Sequence, residues 1–162
     1  MADISPLLFT GFFAALCLFC GCLALSDFRH GIIPDVLNFA VGGLGLAQAL
    51  MAGGAIAAVE VVTEAIIVGL VFWLFRQLYF TVRKIQGLGL GDVKFLAAAT
   101  LWIGLKGIPM LVLTATLSAL IVVSGAHLAG HNLTRRTSLP FGPFLALGLL
   151  AAVGAQRWFG LL

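Results

Sequence analysis

The sequence predicts an all-α protein, a polytopic membrane helix bundle of about six transmembrane helices with its N-terminus outside. Of its 162 residues, 62% are hydrophobic and only 9% are charged, which is far from the composition of a water-soluble domain. The apolar runs are also too long and too continuous for the alternating strands of a membrane barrel. Since lipid offers the backbone no hydrogen-bond partner, runs of this kind must form helices.

Six apolar runs approach the length of about 20 residues that a helix needs to cross a bilayer. They are Leu7–Ser26, Val36–Met51, Ile56–Leu78, Val93–Leu105, Ile108–Ala129 and Phe144–Gly160. The fourth run is short, which would leave room for water at its depth. No Lys or Arg precedes the first run, so we expect a permanent span and not a cleaved signal peptide. We expect residues 1–162 to form a single membrane-embedded domain.

Basic residues collect in alternate loops, as they do on the cytoplasmic side of membrane proteins. One set of loops holds Arg29, Arg76, Arg83, Lys84, Arg135 and Arg136, and the opposite set holds Lys106 and Arg157 beyond Lys94 at the membrane border. This distribution places both termini outside and the richer loops in the cytoplasm. The net charge of +3 therefore indicates topology and not a nucleic-acid surface.

Cysteine and histidine residues do not form a pattern typical of a metal site. Cys17, Cys20 and Cys22 lie within the first run, where we expect small buried thiols and no disulfide. His127 and His131 are four residues apart, but no acid or Cys in their loop completes a ligand set. The sequence therefore predicts no metal.

Two acidic residues stand at the ends of apolar runs that the predicted topology brings to one face. Asp27 ends the first run, and Asp92 follows a glycine-rich segment and opens the fourth. Each has a simple structural interpretation, Asp92 as a helix N-cap and Asp27 as a charge at the membrane border. Acids at membrane depth are costly, however, so both are functional candidates.

Two neighbouring carboxyl groups can together hydrolyse a peptide bond. Both cannot ionise cheaply, so they share one proton. One then acts as base on water while the other donates to the substrate carbonyl oxygen, which is the chemistry of an aspartyl protease. Gly89 and Gly91 would let an extended peptide approach Asp92 without Cβ collisions. A phosphate site is excluded because the glycine pattern of such sites is absent and Asp92 would repel phosphate.

Three segments resemble the signature regions of type IV prepilin peptidases, which are Gly-x-Gly-Asp intramembrane aspartyl proteases. The segments are Asp27-x-Arg29-x-x-x-Ile33-Pro34-Asp35-x-Leu37-Asn38, Gly89-x-Gly91-Asp92-Val93-Lys94, and Leu139-Pro140-Phe141-Gly142-Pro143-Phe144-Leu145-Ala146-Leu147-Gly148. They follow in order across nearly the whole chain. The resemblance implies removal of the leader from prepilin or pseudopilin substrates at the cytoplasmic face of the bacterial inner membrane.

The resemblance also implies roles for single residues. Asp27 and Asp92 match the two catalytic aspartates, Gly89 and Gly91 match the motif glycines, and Lys94 matches the lysine that follows them. Further candidates for substrate binding or support are Pro34, Asp35 and Asn38. For Asp35 a simpler interpretation is a cap on the second helix.

No metal or organic cofactor is implied by the resemblance, and contact with the pilus or secretion assembly machinery is implied only indirectly. The length of the chain is similar to that of the compact peptidases of tight-adherence (Flp) pilus systems. We therefore expect no N-methyltransferase segment and cleavage without methyl transfer.

Two other functions stay open at this point. Glu60 and Glu64 share one face of the third run toward the outer side, where we expect contacts with other helices or a charge at the membrane interface. Together with Asp92 they could instead line the ion or proton route of a small transporter. A non-catalytic subunit of a pilus or secretion assembly would have the same fold but no proteolytic activity.

Overall fold

The computed structural model describes residues 5–84, 89–129 and 140–159, and this part of the chain folds into four α-helices. They are α1 (Pro6–His30), α2 (Asp35–Arg83), α3 (Leu90–Leu128) and α4 (Gly142–Phe159). The all-α prediction is confirmed, and α1, α2 and α3 are long and apolar enough to span a membrane. His131, Arg135, Arg136 and Leu139 lie outside the described residues.

Short polar and glycine signals set the ends of α1 and the start of α2. The Ser5 hydroxyl accepts a hydrogen bond from the Leu8 N–H at 3.4 Å, with Pro6 in the first turn, which is a favourable helix start. Gly31 ends α1 with φ 64°, and its N–H donates to the Asp27 carbonyl at 2.8 Å. Pro34 precedes α2 as its N-cap residue, so the turn between the two helices is short.

The structure has long helices where the sequence predicts separate runs. The second and third runs both lie within α2, and the fourth and fifth both lie within α3. A single glycine interrupts each helix: Gly54 has φ 68° and ψ −157°, and Gly104 has φ 65° and ψ 179°. No loop is needed between the runs, because one glycine can adopt this backbone conformation without a Cβ clash.

The direction of α2 reverses at Gly54. The first turn of α2 lies beside the first turn of α3, because the Asp35 carboxylate pairs with Lys94 Nζ at 2.7 Å. A straight helix of 49 residues would be roughly 70 Å long. Since α2 ends at Arg83 and α3 begins at Leu90, the two helix starts can meet only if the second half of α2 returns toward its beginning.

The direction of α3 reverses in the same way at Gly104, and contacts with α4 reveal it. Before the break, the Ile103 carbonyl accepts a hydrogen bond from Gln156 Nε2 at 2.7 Å. After the break, the Leu111 carbonyl lies against Gly148, where a Cβ would come within 2.5 Å of its oxygen. From Ile103 to Leu111 along α3, the contacts on α4 move back from Gln156 to Gly148. The second half of α3 is therefore antiparallel to α4.

The core of the described residues is built around α3. Fully buried side chains from all four helices contribute to it: Leu16, Leu23, Val41, Phe95, Leu111, Leu145 and Leu149. Trp102 joins α3 to α2, because its Nε1 donates to the Val41 carbonyl at 2.8 Å. Gly45 makes room for this indole, since a Cβ there would lie 2.8 Å from Trp102 Cδ1.

Two side chains replace the backbone hydrogen bonds that the break at Gly104 removes. The Ile103 carbonyl, on one side, is bonded by Gln156 of α4. The Leu105 N–H, on the other side, donates to the Glu64 carboxylate of α2 at 2.8 Å. Each free backbone group would otherwise be costly in an apolar environment. The expected contact of Glu64 with another helix is therefore confirmed, and it has a structural purpose.

We expect Glu64→Ala to destabilise the protein because it leaves the Leu105 N–H without its acceptor. The loss of a charged acceptor at a helix start is worth about 1–3 kcal/mol, and Glu64→Gln, which keeps an acceptor oxygen, should lose less. Thermal unfolding in detergent, followed by circular dichroism, measures this difference. Glu60→Ala is the matched control, since Glu60 is exposed on the same helix. Equal unfolding temperatures for the Glu64→Ala variant and the wild type would contradict the prediction.

Candidate active site

Four helix ends meet at one end of the bundle. Asp27 in the last turn of α1 contacts Gly142 at the start of α4, and Asp35 at the start of α2 contacts Lys94 at the start of α3. Ile33, in the turn after α1, packs against Gly91 in the first turn of α3. Asp27 and Asp92, the aspartates that the sequence singled out in the first and fourth runs, therefore lie in one region.

Asp27 is buried, with 6% of its surface exposed. Its Oδ2 accepts a hydrogen bond of 2.7 Å from the N–H of Gly142. This N–H belongs to the first residue of α4, and the first N–H groups of a helix have no partner within the helix and suit an anionic acceptor. A Cβ on residue 142 would lie only 2.7 Å from Asp27 Oδ2 and 2.9 Å from its Cβ. Glycine at this position therefore permits the contact.

Asp92 lies at the third position of α3 and is partly buried. The simple interpretation of Asp92 as the N-cap is wrong, because Gly89 holds that position. The Asp92 carboxyl group instead lies close to this N-cap residue, as an acid in the first turn does when it reaches back to the N-cap. Gly89 suits this contact, since a Cβ there would lie 3.2 Å from Asp92 Oδ2.

The two aspartates are close enough for the charge of Asp27 to act on Asp92. They come from different helices; Asp27 is held by the Gly142 N–H, and Asp92 lies beside Gly89. Two carboxyl groups near each other can serve as base and acid on one water, which is what general acid–base hydrolysis of an amide requires.

Asp35 and Lys94 form an ion pair beside the aspartates. Lys94 Nζ lies 2.7 Å from Asp35 Oδ1 and 2.8 Å from Oδ2. The expected cap by Asp35 is wrong, because Pro34 is the N-cap of α2 and no side chain caps it. The partner of Asp35 is instead 59 residues away in sequence. With the side chains 51% and 56% exposed, the pair adds little stability, but it ties the start of α2 to the start of α3.

Gly91 and Asn38 complete the set of predicted residues. A Cβ on Gly91 would lie 3.0 Å from Ile33 Cβ, so glycine lets the turn after α1 pack against α3. Asn38 lies in the first full turn of α2, is 5% exposed, and its Oδ1 and Nδ2 find no hydrogen-bond partner among the described residues. The same end of the bundle that holds the two aspartates thus also holds Pro34, Asp35, Asn38, Gly89, Gly91 and Lys94.

One residue of this region was missing from the candidate list. Gly142 donates the only hydrogen bond that the structure gives to the Asp27 carboxylate within the described residues. The sequence does indicate that a helix starts near Gly142, because a proline directly after it, Pro143, is typical of the first turn of a helix. The segment around Gly142 was noted for its resemblance, but its contact with Asp27 is 115 residues distant in sequence.

Within residues 5–84, 89–129 and 140–159, no group of three His, Cys, Asp or Glu side chains could hold a metal ion. The three cysteines are free thiols of α1. His127 is exposed near the end of α3, and its predicted neighbour His131 lies outside the described part of the chain.

Fold and site together define a multi-pass membrane protein with two aspartates at one end of its helix bundle. A model of the type IV leader peptidase family matches residues 14–124. The matched segment includes both Asp27 and Asp92. The chain belongs to the type IV leader peptidase family.

Individual relatives agree with this assignment. The prepilin leader peptidase/N-methyltransferase of Escherichia coli (strain K12) is 35% identical over 162 residues, covering 98% of this chain and 68% of that protein. The proteins of the same name from Xanthomonas campestris and Burkholderia pseudomallei are 35% and 36% identical, covering 83% of this chain but 47% and 45% of those proteins. The chain thus spans about half the length of some relatives. No solved structure matches it significantly.

We expect Gly142→Ala to destabilise the protein, because the added methyl group must displace the Asp27 side chain or the start of α4. Overpacking of this kind costs about 1–3 kcal/mol. Gly21→Ala is the matched control within α1, since no atom lies within 4 Å of a Cβ there, and its stability should stay the same or rise slightly. Thermal unfolding of both variants in detergent measures the difference. If the two variants unfold alike, the close contact between Asp27 and Gly142 is not present in solution.

Proposed function

We propose that this chain is an aspartic endopeptidase that cleaves the leader peptide from prepilin or pseudopilin substrates. The observation that carries the proposal is the meeting of Asp27 and Asp92, from α1 and α3, at one end of the bundle. Family membership supports it, and so do the relatives, which are named as prepilin leader peptidases. No cofactor is needed, because two carboxyl groups and water suffice for amide hydrolysis.

In this mechanism the two aspartates share one proton and act as a unit. The deprotonated carboxylate takes a proton from a bound water as the water oxygen attacks the scissile carbonyl carbon. The other carboxyl group donates its proton to the carbonyl oxygen. The tetrahedral intermediate then collapses, the C–N bond breaks, and the amine of the mature substrate leaves with a proton from the pair.

The surroundings of the two carboxyl groups suit this chemistry. The Gly142 N–H fixes one oxygen of Asp27, and the Asp92 carboxyl group packs against Gly89 at the start of its own helix. Preorganised side chains do not have to reorient during the reaction, which lowers the barrier.

We further propose that the bundle crosses the membrane six times with its N-terminus outside. The reversals at Gly54 and Gly104 turn each of the long helices into two segments, and a bilayer core of about 30 Å is crossed by about 20 residues. Arg29, Arg83 and Lys84 lie at the aspartate end, which supports a cytoplasmic location for that end. Arg157 lies at the opposite end, 5.0 Å from the Phe9 ring near the start of α1. The membrane is then the bacterial inner membrane, and the leader is cut at its cytoplasmic face.

The transporter alternative has less support. Glu64 is engaged by the Leu105 N–H beside the break at Gly104, and Glu60 is exposed. From Asp92 to Gly104 a helix rises roughly 18 Å, so the glutamates and the aspartates lie at different levels of the bundle. The acidic residues of the described part of the chain therefore do not form a continuous route from one side of the bundle to the other.

We expect Asp27→Asn and Asp92→Asn each to lower the rate of leader cleavage by at least roughly 100-fold, because an amide can serve neither as acid nor as base. Both variants should stay folded, since Asn has the size of Asp and, at position 27, its side-chain oxygen can still accept the hydrogen bond from the Gly142 N–H. The measurement is a mobility shift of a prepilin incubated with detergent-solubilised protein, with thermal unfolding recorded in parallel.

Glu60→Gln is a suitable control, because its carboxylate lies away from the aspartates, and it should cleave at the wild-type rate. The transporter interpretation would replace the peptidase interpretation if both Asp variants cleaved at the wild-type rate and Glu60→Gln abolished an ion flux of the protein. Absence of cleavage by the folded wild-type protein would favour a non-catalytic assembly subunit.

A further inference from the structure

An apolar groove begins at the aspartate end of the bundle and contains a polar side chain that the catalytic chemistry does not use. The groove has a volume of about 610 Å³ and lies between the first segment of α2, the returning segment of α2 and the first segment of α3. Asp35 and Lys94 line one part of it, and its walls are otherwise almost wholly apolar, among them Phe39, Ile66 and Leu101. Because Asp35 and Lys94 stand at the starts of α2 and α3, the groove begins at the aspartate end of the bundle, although neither Asp27 nor Asp92 lines it.

Asn38 lines this groove with its amide unsatisfied. The side chain is 5% exposed, and neither its Oδ1 nor its Nδ2 has a hydrogen-bond partner in the part of the chain that the structure describes. An orphaned buried amide is destabilising. Other interior polar side chains are paired, as Trp102 is with Val41 and Gln156 with Ile103, and among the described residues only the Gln48 Oε1 shares this unpaired state. The position of Asn38 therefore suggests a partner that comes from outside the chain.

The chemistry of the amide selects the kind of partner. A lipid acyl chain could fill an apolar groove, but it would leave both the donor and the acceptor of Asn38 unpaired. A water in such a groove would find few other polar groups to hold it. The Asn38 carboxamide presents an acceptor oxygen and a donor N–H side by side. The oxygen can accept from an N–H of a peptide backbone, and the N–H can donate to a backbone C=O.

A peptide backbone offers these groups only where it is not helical, because within a helix the N–H and C=O groups bond to each other. Proteolysis requires such a segment, since the scissile bond must be open to water and to the aspartates. The walls of the groove also admit a backbone closely, because Gly43 has no atom within 4 Å of where its Cβ would be. Small residues of this kind allow chains to approach each other in lipid.

We propose that the Asn38 amide binds the main chain of the substrate where its transmembrane helix is unwound next to the cleavage site. This inference rests on the proposed peptidase function and adds a substrate-binding residue to it. The apolar groove then receives the adjoining apolar side chains of the substrate, and Asn38 holds the extended segment in register with Asp27 and Asp92. Recognition through the main chain does not depend on a particular substrate side chain at this point.

The test compares Asn38→Leu with Gln48→Leu. Leu has a shape similar to Asn but cannot form hydrogen bonds. Gln48 is on the same helix and also has a buried unpaired side-chain oxygen, but it does not line the groove. Both variants remove an unsatisfied polar atom, so neither should unfold at a lower temperature than the wild type. We expect kcat/KM for prepilin cleavage to fall roughly tenfold in Asn38→Leu, mainly through KM, and to stay unchanged in Gln48→Leu.

Two results of this comparison would overturn the inference. Wild-type cleavage by Asn38→Leu would show that the amide does not bind the substrate. A lower unfolding temperature of Asn38→Leu in parallel with its loss of cleavage would assign the amide a structural role. Either result leaves the peptidase function intact as long as the wild-type protein cleaves, so failure of the two proposals can be told apart.

A second experiment measures occupancy of the groove without cleavage. In the Asp92→Asn background, the photo-crosslinking residue p-benzoylphenylalanine replaces Ile66, which lines the groove, or Ile121, which is 71% exposed on α3 and does not line it. We expect the prepilin to crosslink from position 66 and not from position 121, and Asn38→Leu to reduce the yield severalfold. Crosslinking to lipid alone from position 66, or a yield that Asn38→Leu does not change, would contradict the inference.

Discussion

Hydrocarbon offers no hydrogen-bond partner, so every interruption of a helix in this bundle has to be satisfied by the protein itself. The break at Gly104 shows how this is done, because Glu64 accepts from the N–H on one side and Gln156 donates to the carbonyl on the other. Both side chains come from other helices, so the break also fixes how α2, α3 and α4 pack. The reversal of direction there, and the one at Gly54, return the chain to the end of the bundle where the aspartates lie.

The same requirement explains why helix ends form the site. A helix start presents N–H groups that have no partner within the helix, and an acid buried at membrane depth needs donors. Asp27 receives one from the first residue of α4, and Asp92 lies beside the N-cap of its own helix. The unpaired N–H at the start of α4 and the buried carboxylate of Asp27 thus satisfy each other.

Much of this arrangement could be predicted from the sequence, and what could not be predicted depends on distant partners. Hydropathy and basic residues locate the runs and bring Asp27 and Asp92 to the same end. They do not show that one glycine suffices to interrupt a helix, so the predicted runs appear as separate elements. Local rules suggested caps for Asp35 and Asp92, but Asp35 pairs with Lys94, and Gly89 is the N-cap beside Asp92. The contact of Gly142 with Asp27 had no local signal that specified its partner.

At Asn38 a local rule of stability is broken without a structural gain, because both polar atoms of its buried amide are unpaired. A bundle that pairs Trp102, Glu64 and Gln156 with backbone groups on other helices could have placed an apolar side chain at position 38 and been more stable. Natural proteins break such rules mainly at functional sites, where the lost stability is offset by activity. Since the adjoining groove is apolar and begins at the aspartate end of the bundle, the unpaired amide is explained if its partner is the peptide that the aspartates cut. The free enzyme is then less stable than its complex with the substrate by the hydrogen bonds that only the substrate supplies.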